Sequence, residues 1–147
     1  MGLFDNLFAE KTGTRELTKQ EAFAGILHAA SACDGHMAQG EVQSLFTTTE
    51  RMRMFENVSP NKWNAMMDSL LKILKKSGPL KLVDACAEAL PDGMKQTAFA
   101  NACDILLADG SVEEEEKEFL DHLQKSLEID GDTALSIAEV MIIKNKG

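Results

Sequence analysis

DGHMAQGE, from Asp34 to Glu41, and DGSVEEEE, from Asp109 to Glu116, are the two stretches that decide how this chain folds. In each, Gly follows the Asp, a Glu stands seven positions after it, and the two Asp residues lie 75 positions apart. An apolar run leads into both, and an apolar residue, Met37 or Val112, follows three after the Asp. Glycine just past an apolar-periodic run stops a helix, and a second helical pattern begins near each Glu. The same acidic pair at two helix–helix corners reads as one unit built twice. Carboxylates brought together in this way call for a cation.

Outward from the corners, nearly every segment has helical period. Thr18 with Glu21 three later is a capping box, opening a helix whose apolar stripe is Phe23, Ile26, Leu27 and Ala30. After the first corner come Val42, Leu45 and Phe46, then a looser stretch from Met52 to Asn57. Ser59-Pro60 is an N-cap followed by Pro at the first helical position. It opens an amphipathic helix marked by Trp63, Met66, Met67, Leu70, Leu71 and Leu74, which Gly78-Pro79 stops. A short helix from about Leu80 to Leu90 ends at Pro91-Asp92-Gly93, and the next carries Ala98, Ala102, Ile105 and Leu106 into the second corner. Ser111 with Glu114 suggests a further capping box, before the helix of Phe119, Leu120, Leu123 and Leu127. Asp130-Gly131 then turns the chain into a last helix toward Lys146. Period-two alternation of β-branched residues is missing. The expected fold is all-α, a compact bundle of seven or eight helices with two pseudo-twofold-related helix pairs at the Asp-Gly corners.

At 147 residues the chain suits one domain with its own core. Residues 17–147 form the expected helical core, and residues 1–16 an N-terminal amphipathic segment and linker. In that segment Leu3, Phe4, Leu7 and Phe8 share one side of a short helix, and a polar stretch with Gly13 follows. It is expected to dock on the bundle or to mediate homo-oligomer formation. No apolar stretch approaches a membrane span, and no secretory leader pattern opens the chain. The cysteines, Cys33, Cys86 and Cys103, are odd in number, lack metal-ligand spacing and lie among alanines, which points to reduced, buried thiols in the cytoplasm. Net charge is −9, from 24 acidic and 15 basic residues, which argues against nucleic acid as a partner.

The corner acids look placed. Asp34 lies four after Ala30 and Asp109 four after Ile105, extending the apolar stripes. Glu116 lies four after Val112, and Glu41 four before Leu45. A Glu in a first turn is favoured by the helix dipole, by roughly 0.3–1 kcal/mol. An Asp in a last turn opposes it. The spacing also partly matches an EF-hand, but the earlier ligand slots fall on Ala30, Ala32, Ile105 and Leu107, which offer no side-chain oxygen. One corner alone cannot enclose calcium. Two facing corners would bring Asp34, Glu41, Asp109 and Glu116 together, with Glu115 in support, as oxygen ligands for calcium, magnesium or manganese.

The segments SACDG (Ser31 to Gly35), LLADG (Leu106 to Gly110) and DGSVEEEEKEFL (Asp109 to Leu120) resemble the tellurite-resistance TerB family, whose domain also occurs in a membrane-anchored DnaJ-type chaperone. The resemblance spans about Thr18 to Ile129. It implies an all-α bundle with an acidic cluster that binds metal, acting in metal and chemical stress with protein partners, including membrane proteins of the same system. It places the chain in the cytoplasm, peripheral to the membrane through such a partner. The second corner matches in full with Asp109, Glu115 and Glu116. The first departs, since Gly40 stands where the first Glu of the pair belongs and only Glu41 remains.

Two other classes compete with a cation-binding module. A carboxylate–metal hydrolase needs a site that activates water, yet His28, His36 and His122 show no paired-ligand spacing and suggest no Ser-His-Asp arrangement. A helical adaptor without metal would use the N-terminal segment, or a groove of Met52, Met54, Met66 and Met67.

Overall fold

The structure, a computed structural model, describes residues 17–33, 45, 47–108 and 111–146. Its elements are α1 (Lys19–Ala32), α2 (Pro60–Ser77), α3 (Pro79–Ala89), α4 (Lys95–Leu106), α5 (Glu114–Ser126) and α6 (Gly131–Lys144). Residues 45 and 47–50 are also helical, and 3₁₀ turns occupy Arg53–Phe55 and Asp92–Met94. Among the described residues the architecture is all-helical, with seven helices and no strand. None of the described helices is long and apolar enough to cross a membrane.

The helix starts follow local chemistry. Thr18 Oγ1 accepts from the Glu21 amide at 3.1 Å, and Glu21 Oε1 accepts from the Thr18 amide at 3.2 Å, closing the expected capping box. Ser59 Oγ accepts from the Lys62 amide at 3.2 Å, with Pro60 first in α2. Gly78, at φ 86°, ends α2 by donating its amide to Leu74 O at 2.8 Å, and Pro79 starts α3 at once. A left-handed φ here suits glycine. The box expected of Ser111 and Glu114 is displaced by two residues. Glu113 is the N-cap of α5, and Glu116 Oε1 accepts from the Glu113 amide at 2.9 Å. With the helix opening at Glu114, only Glu116 stands at the third helical position from which a side chain can reach back. Asp130 caps α6, its Oδ2 accepting from the amides of Asp132 and Thr133 at 3.2 and 3.3 Å.

The expected stripe of α1 proves too narrow. Every residue from Glu21 to Ala30 is buried, not only Phe23, Ile26, Leu27 and Ala30. No charge interrupts AFAGILHAASA after Glu21, so no face of α1 requires solvent. Helices α2, α3 and α4 all pack against it. Aromatic rings lock the α1–α2 side: Phe23 meets Phe55 edge-on at 6.1 Å between centroids, and Phe55 meets Trp63 at 6.0 Å. Met66 and Met67 are buried and Met52 and Met54 pack against the same cluster, so these methionines are core rather than a groove. The superposition expected of the two helix pairs turns on residues 34–44, outside the described set. The amphipathic segment expected at residues 1–16 also lies outside the described set.

Gly25 sets the closest approach in this core. A Cβ placed there would lie 2.5 Å from Cys86 Sγ and 3.1 Å from Leu70 Cδ2. Gly25→Ala gains about 1 kcal/mol in helix propensity but overpacks a full core, at about 1–3 kcal/mol. The expected net effect is destabilisation by up to about 2 kcal/mol in denaturant unfolding, relieved in a Cys86→Ala background. A double-mutant cycle checks it; a stabilised Gly25→Ala in the parent chain refutes the close packing.

Candidate functional site

Helix α4 delivers the second corner. Ala98, Phe99, Ala102, Cys103 and Leu106 anchor it in the core, and Leu107 closes it by donating its amide to Cys103 O at 2.8 Å. Asp109 and Gly110 fall outside the described residues. On the far side Val112 packs against the core, which fixes the chain as it enters α5. Glu114 and Glu115 are exposed and Glu116 is half-buried. The first corner is delivered by α1, whose C-cap Cys33 also packs on the core. Asp34, His36 and Glu41 lie outside the described residues.

Of the five expected ligands, Glu115 and Glu116 are therefore the two that are placed. They stand in the first turn of α5, where the helix dipole favours negative charge. The Glu115 carboxylate points to solvent and makes no hydrogen bond or ion pair with a described residue. Glu116 is held by its bond to the Glu113 amide, so it faces its own N-terminus and has one lone pair engaged. Lys117 lies 3.5 Å from Glu114, an exposed i,i+3 pair of little energetic weight. No group of three or more His, Cys, Asp or Glu side chains able to hold a metal occurs among the described residues. The helices that lead into the two corners, α1 and α4, pack directly against each other.

The structure also assembles a cluster that the spacing did not suggest. Asp84 Oδ1 on α3 accepts from His122 Nε2 at 2.7 Å and from Ser126 Oγ at 2.8 Å, both on α5. Partial burial works to raise the Asp84 carboxyl, but the hydrogen bonds from Ser126 and His122 and the charge of His122 together hold it below its ordinary value. His122 and Ser126 are four apart and share one helical face, which the sequence does show. Their acid lies 38 positions before His122, and nothing local marks it. Asp84 occupies the serine hydroxyl and the imidazole alike, so no serine–histidine bond exists to generate a nucleophile. The trio clamps α3 to α5.

A second clamp joins α4 to α6. Asp104 Oδ1 accepts from Asn145 Nδ2 at 2.8 Å and from Lys144 Nζ at 3.1 Å. Two of the three thiols are buried as expected, whereas Cys33, at the end of α1, is half-buried. Cys86 and Cys103 are buried and unbonded to sulfur, and burial, aided by the charges of Glu21 and Asp104 respectively, pushes each up to about 12. A thiolate is inaccessible at neutral pH.

Comparison with protein-family models, with curated proteins and with solved structures finds no match to this chain.

His28 is the buried titratable side chain that no partner explains. It is 2 % exposed, and neither ring nitrogen has a hydrogen-bond partner among the described residues. Burial lowers its pKa below the ordinary 6.5. Above pH 6.5 both folded and unfolded chains hold a neutral ring, so the group contributes no pH dependence. Below it the unfolded chain takes the proton first. Stability then falls by up to about 1.4 kcal/mol per pH unit until the depressed native value is reached. His28→Leu, similar in bulk, is expected to remove this acid slope and to raise stability at neutral pH by about 1–3 kcal/mol, the cost of leaving a buried polar group unpaired. Urea unfolding of both chains from pH 7.5 to 5 measures it, and an unchanged slope in His28→Leu refutes the assignment.

Proposed function

We propose that this chain is a non-enzymatic, TerB-like binding module that holds a divalent cation, calcium, magnesium or manganese, through Asp34, Glu41, Asp109, Glu115 and Glu116. It acts in metal or chemical stress through protein partners, a membrane protein of the same response among them. The observation that carries this is the direct packing of α1 on α4, because these two helices lead into the repeated Asp-Gly corners. The acidic first turn of α5 adds support: Glu115 is exposed with its carboxylate uncommitted, and Glu116 retains acceptor capacity beyond its capping bond. Hard cations take such oxygen ligands.

A helical adaptor without metal is the alternative, and it is favoured by the exposed apolar residues Leu135, Val140, Ile142 and Ile143 of α6. The two differ in how the acids behave. Metal-free protein titrated calorimetrically with each of the three ions is expected to release or absorb heat at one saturable site. Its melting temperature should rise with free cation, by the equivalent of about 2.7 kcal/mol at a hundredfold excess over Kd. Asp109→Asn should weaken binding at least tenfold. Glu116→Gln preserves the capping acceptor while removing the charge, so it should weaken binding without unfolding α5. If no ion produces heat or a melting shift, and Asp109→Asn alone raises the melting temperature, the acids are structural and the adaptor stands.

A further inference from the structure

Helix α6 packs by one side and leaves an apolar face bare on the other. Ala134 is buried and Ile137, Ala138 and Met141 pack against the core, whereas Leu135, Val140, Ile142 and Ile143 are exposed, Leu135 to 65 % and Ile143 to 68 %. Among the described residues, Leu80 is the one exposed large hydrophobic outside α6. A helix apolar on its outer side has a face without a partner. That face differs along its length. Its first two turns border an open groove of about 440 Å³, walled by Phe99 of α4, Leu120 of α5, and Leu135 and Ala138 of α6. Its last turns, Val140 to Ile143, project instead. Charge divides in the same way. Asp121 and Asp132 lie at the groove, where Lys117 is already within 3.5 Å of Glu114, and the exposed Lys146 lies just past the far end.

We propose that a second copy of this chain covers this face, its α6 antiparallel to the first about a two-fold axis at Glu139. One helix holds the recess at its start and the projections at its end. Turning a copy end for end therefore sets each end on its complement, twice, as a self-complementary interface requires. Leu135 and Ile142 are seven positions apart, two helical turns, and share one line with Asp132, Glu139 and Lys146. In the pair, Leu135 meets the partner's Ile142 beside the groove, and Asp132 meets the partner's Lys146. Charge favours a second copy as the occupant. The chain carries −9 overall, yet residues 131–146 hold two acids, Asp132 and Glu139, against two lysines, Lys144 and Lys146. This neutral stretch is where two acidic molecules approach with least repulsion. Its outermost acid and base stand at opposite ends, and antiparallel helix dipoles act in the same sense. Glu139 alone works against the pair, because two like charges meet at the axis. The proposal is independent of cation binding at the corners.

Sedimentation equilibrium of the full-length protein is expected to show a monomer–dimer equilibrium. Leu135→Asp and Ile142→Asp, both at exposed positions, should leave the circular dichroism spectrum unchanged and weaken the dimer at least a hundredfold. Glu139→Gln should tighten it several-fold. Cross-linking on mild oxidation reads the geometry, in a Cys33→Ser background because Cys86 and Cys103 are buried. Glu139→Cys should form a disulfide-linked dimer by itself. Leu135→Cys should not, because at about 1.5 Å per residue the two positions lie about 12 Å apart along an antiparallel pair, beyond the roughly 7 Å a disulfide spans. Mixed with Ile142→Cys, it should link. A protein that stays monomeric up to millimolar concentration would overturn the proposal. So would a dimer indifferent to Leu135→Asp and Ile142→Asp, which would place the interface elsewhere. Leu135→Cys linking readily to itself would overturn the antiparallel arrangement.

Discussion

The approach of α1 to its neighbours is the constraint on which the rest of the molecule depends. Three helices, α2, α3 and α4, close on one helix that has no solvated face from Glu21 to Ala30. Its side chains are small where the neighbours come nearest: Gly25 faces Cys86, Leu70 and Leu82, and alanines occupy 22, 24, 29 and 30. Large residues, Phe23, Ile26 and Leu27, fill the remaining directions, each contributing about 1.5–3 kcal/mol by burial. A chain that placed α1 at the surface would expose this whole surface at once. Burying it on all sides leaves two polar groups to be dealt with. Glu21 is satisfied in part by the Thr18 amide of its own capping box, which lets a carboxylate sit at 2 % exposure. His28 has no such arrangement and stays neutral at some cost to stability in acid.

Around this apolar centre the polar contacts orient rather than drive. Asp84 draws His122 and Ser126 of α5 toward α3, and Asp104 draws Lys144 of α6 and its C-cap Asn145 toward α4. Both acids lie on the helices nearest α1 and reach outward to the two helices that do not rank among its main partners. Exposed pairs of this type contribute less than about 1 kcal/mol each. Their value is angular: each carboxylate oxygen accepts two donors from successive turns or neighbouring positions of one helix, which fixes the rotation of that helix.

The sequence exposed local features well and tertiary ones unevenly. Caps at Thr18 and Ser59 and the break at Gly78-Pro79 are decided within four residues, so they could be read directly, whereas Asp130, read only as a turn, caps the last helix. The period of Trp63, Met66, Met67 and Leu70 likewise names the buried face of α2. The start of α5 was misread by two residues because GSVEEEE offers several overlapping cap-and-return pairs. Only the packing of Val112 and Phe119 on the core, a tertiary matter, selects Glu113 with Glu116. The total burial of α1 was legible in AFAGILHAASA, yet a search for a stripe looks for one face and overlooks the case of none exposed. The Asp84 clamp was not legible at all, because hydrogen bonds between positions 84 and 122 leave no local trace. As for the candidate site, its chemistry came entirely from the repeated spacing, and the described residues add the neighbourhood of α1 and α4 and the posture of two glutamates.

The posture of Glu116 bears on how a cation at the corners would be felt elsewhere. Glu116 caps α5 through the Glu113 amide, and Val112, one residue earlier, packs on the core. At the other corner Cys33, the C-cap of α1, packs on that same core. Each corner is thus bound within one or two residues to side chains that cannot move without disturbing the cluster around α1. Close-packed cores do not deform continuously. A ligand held at the corners would therefore couple to the stability of α1 and α4 together, rather than to a loop alone. The same coupling runs in reverse, since a change that loosens the α1–α4 contact would lower the affinity at the corners by an equal free energy.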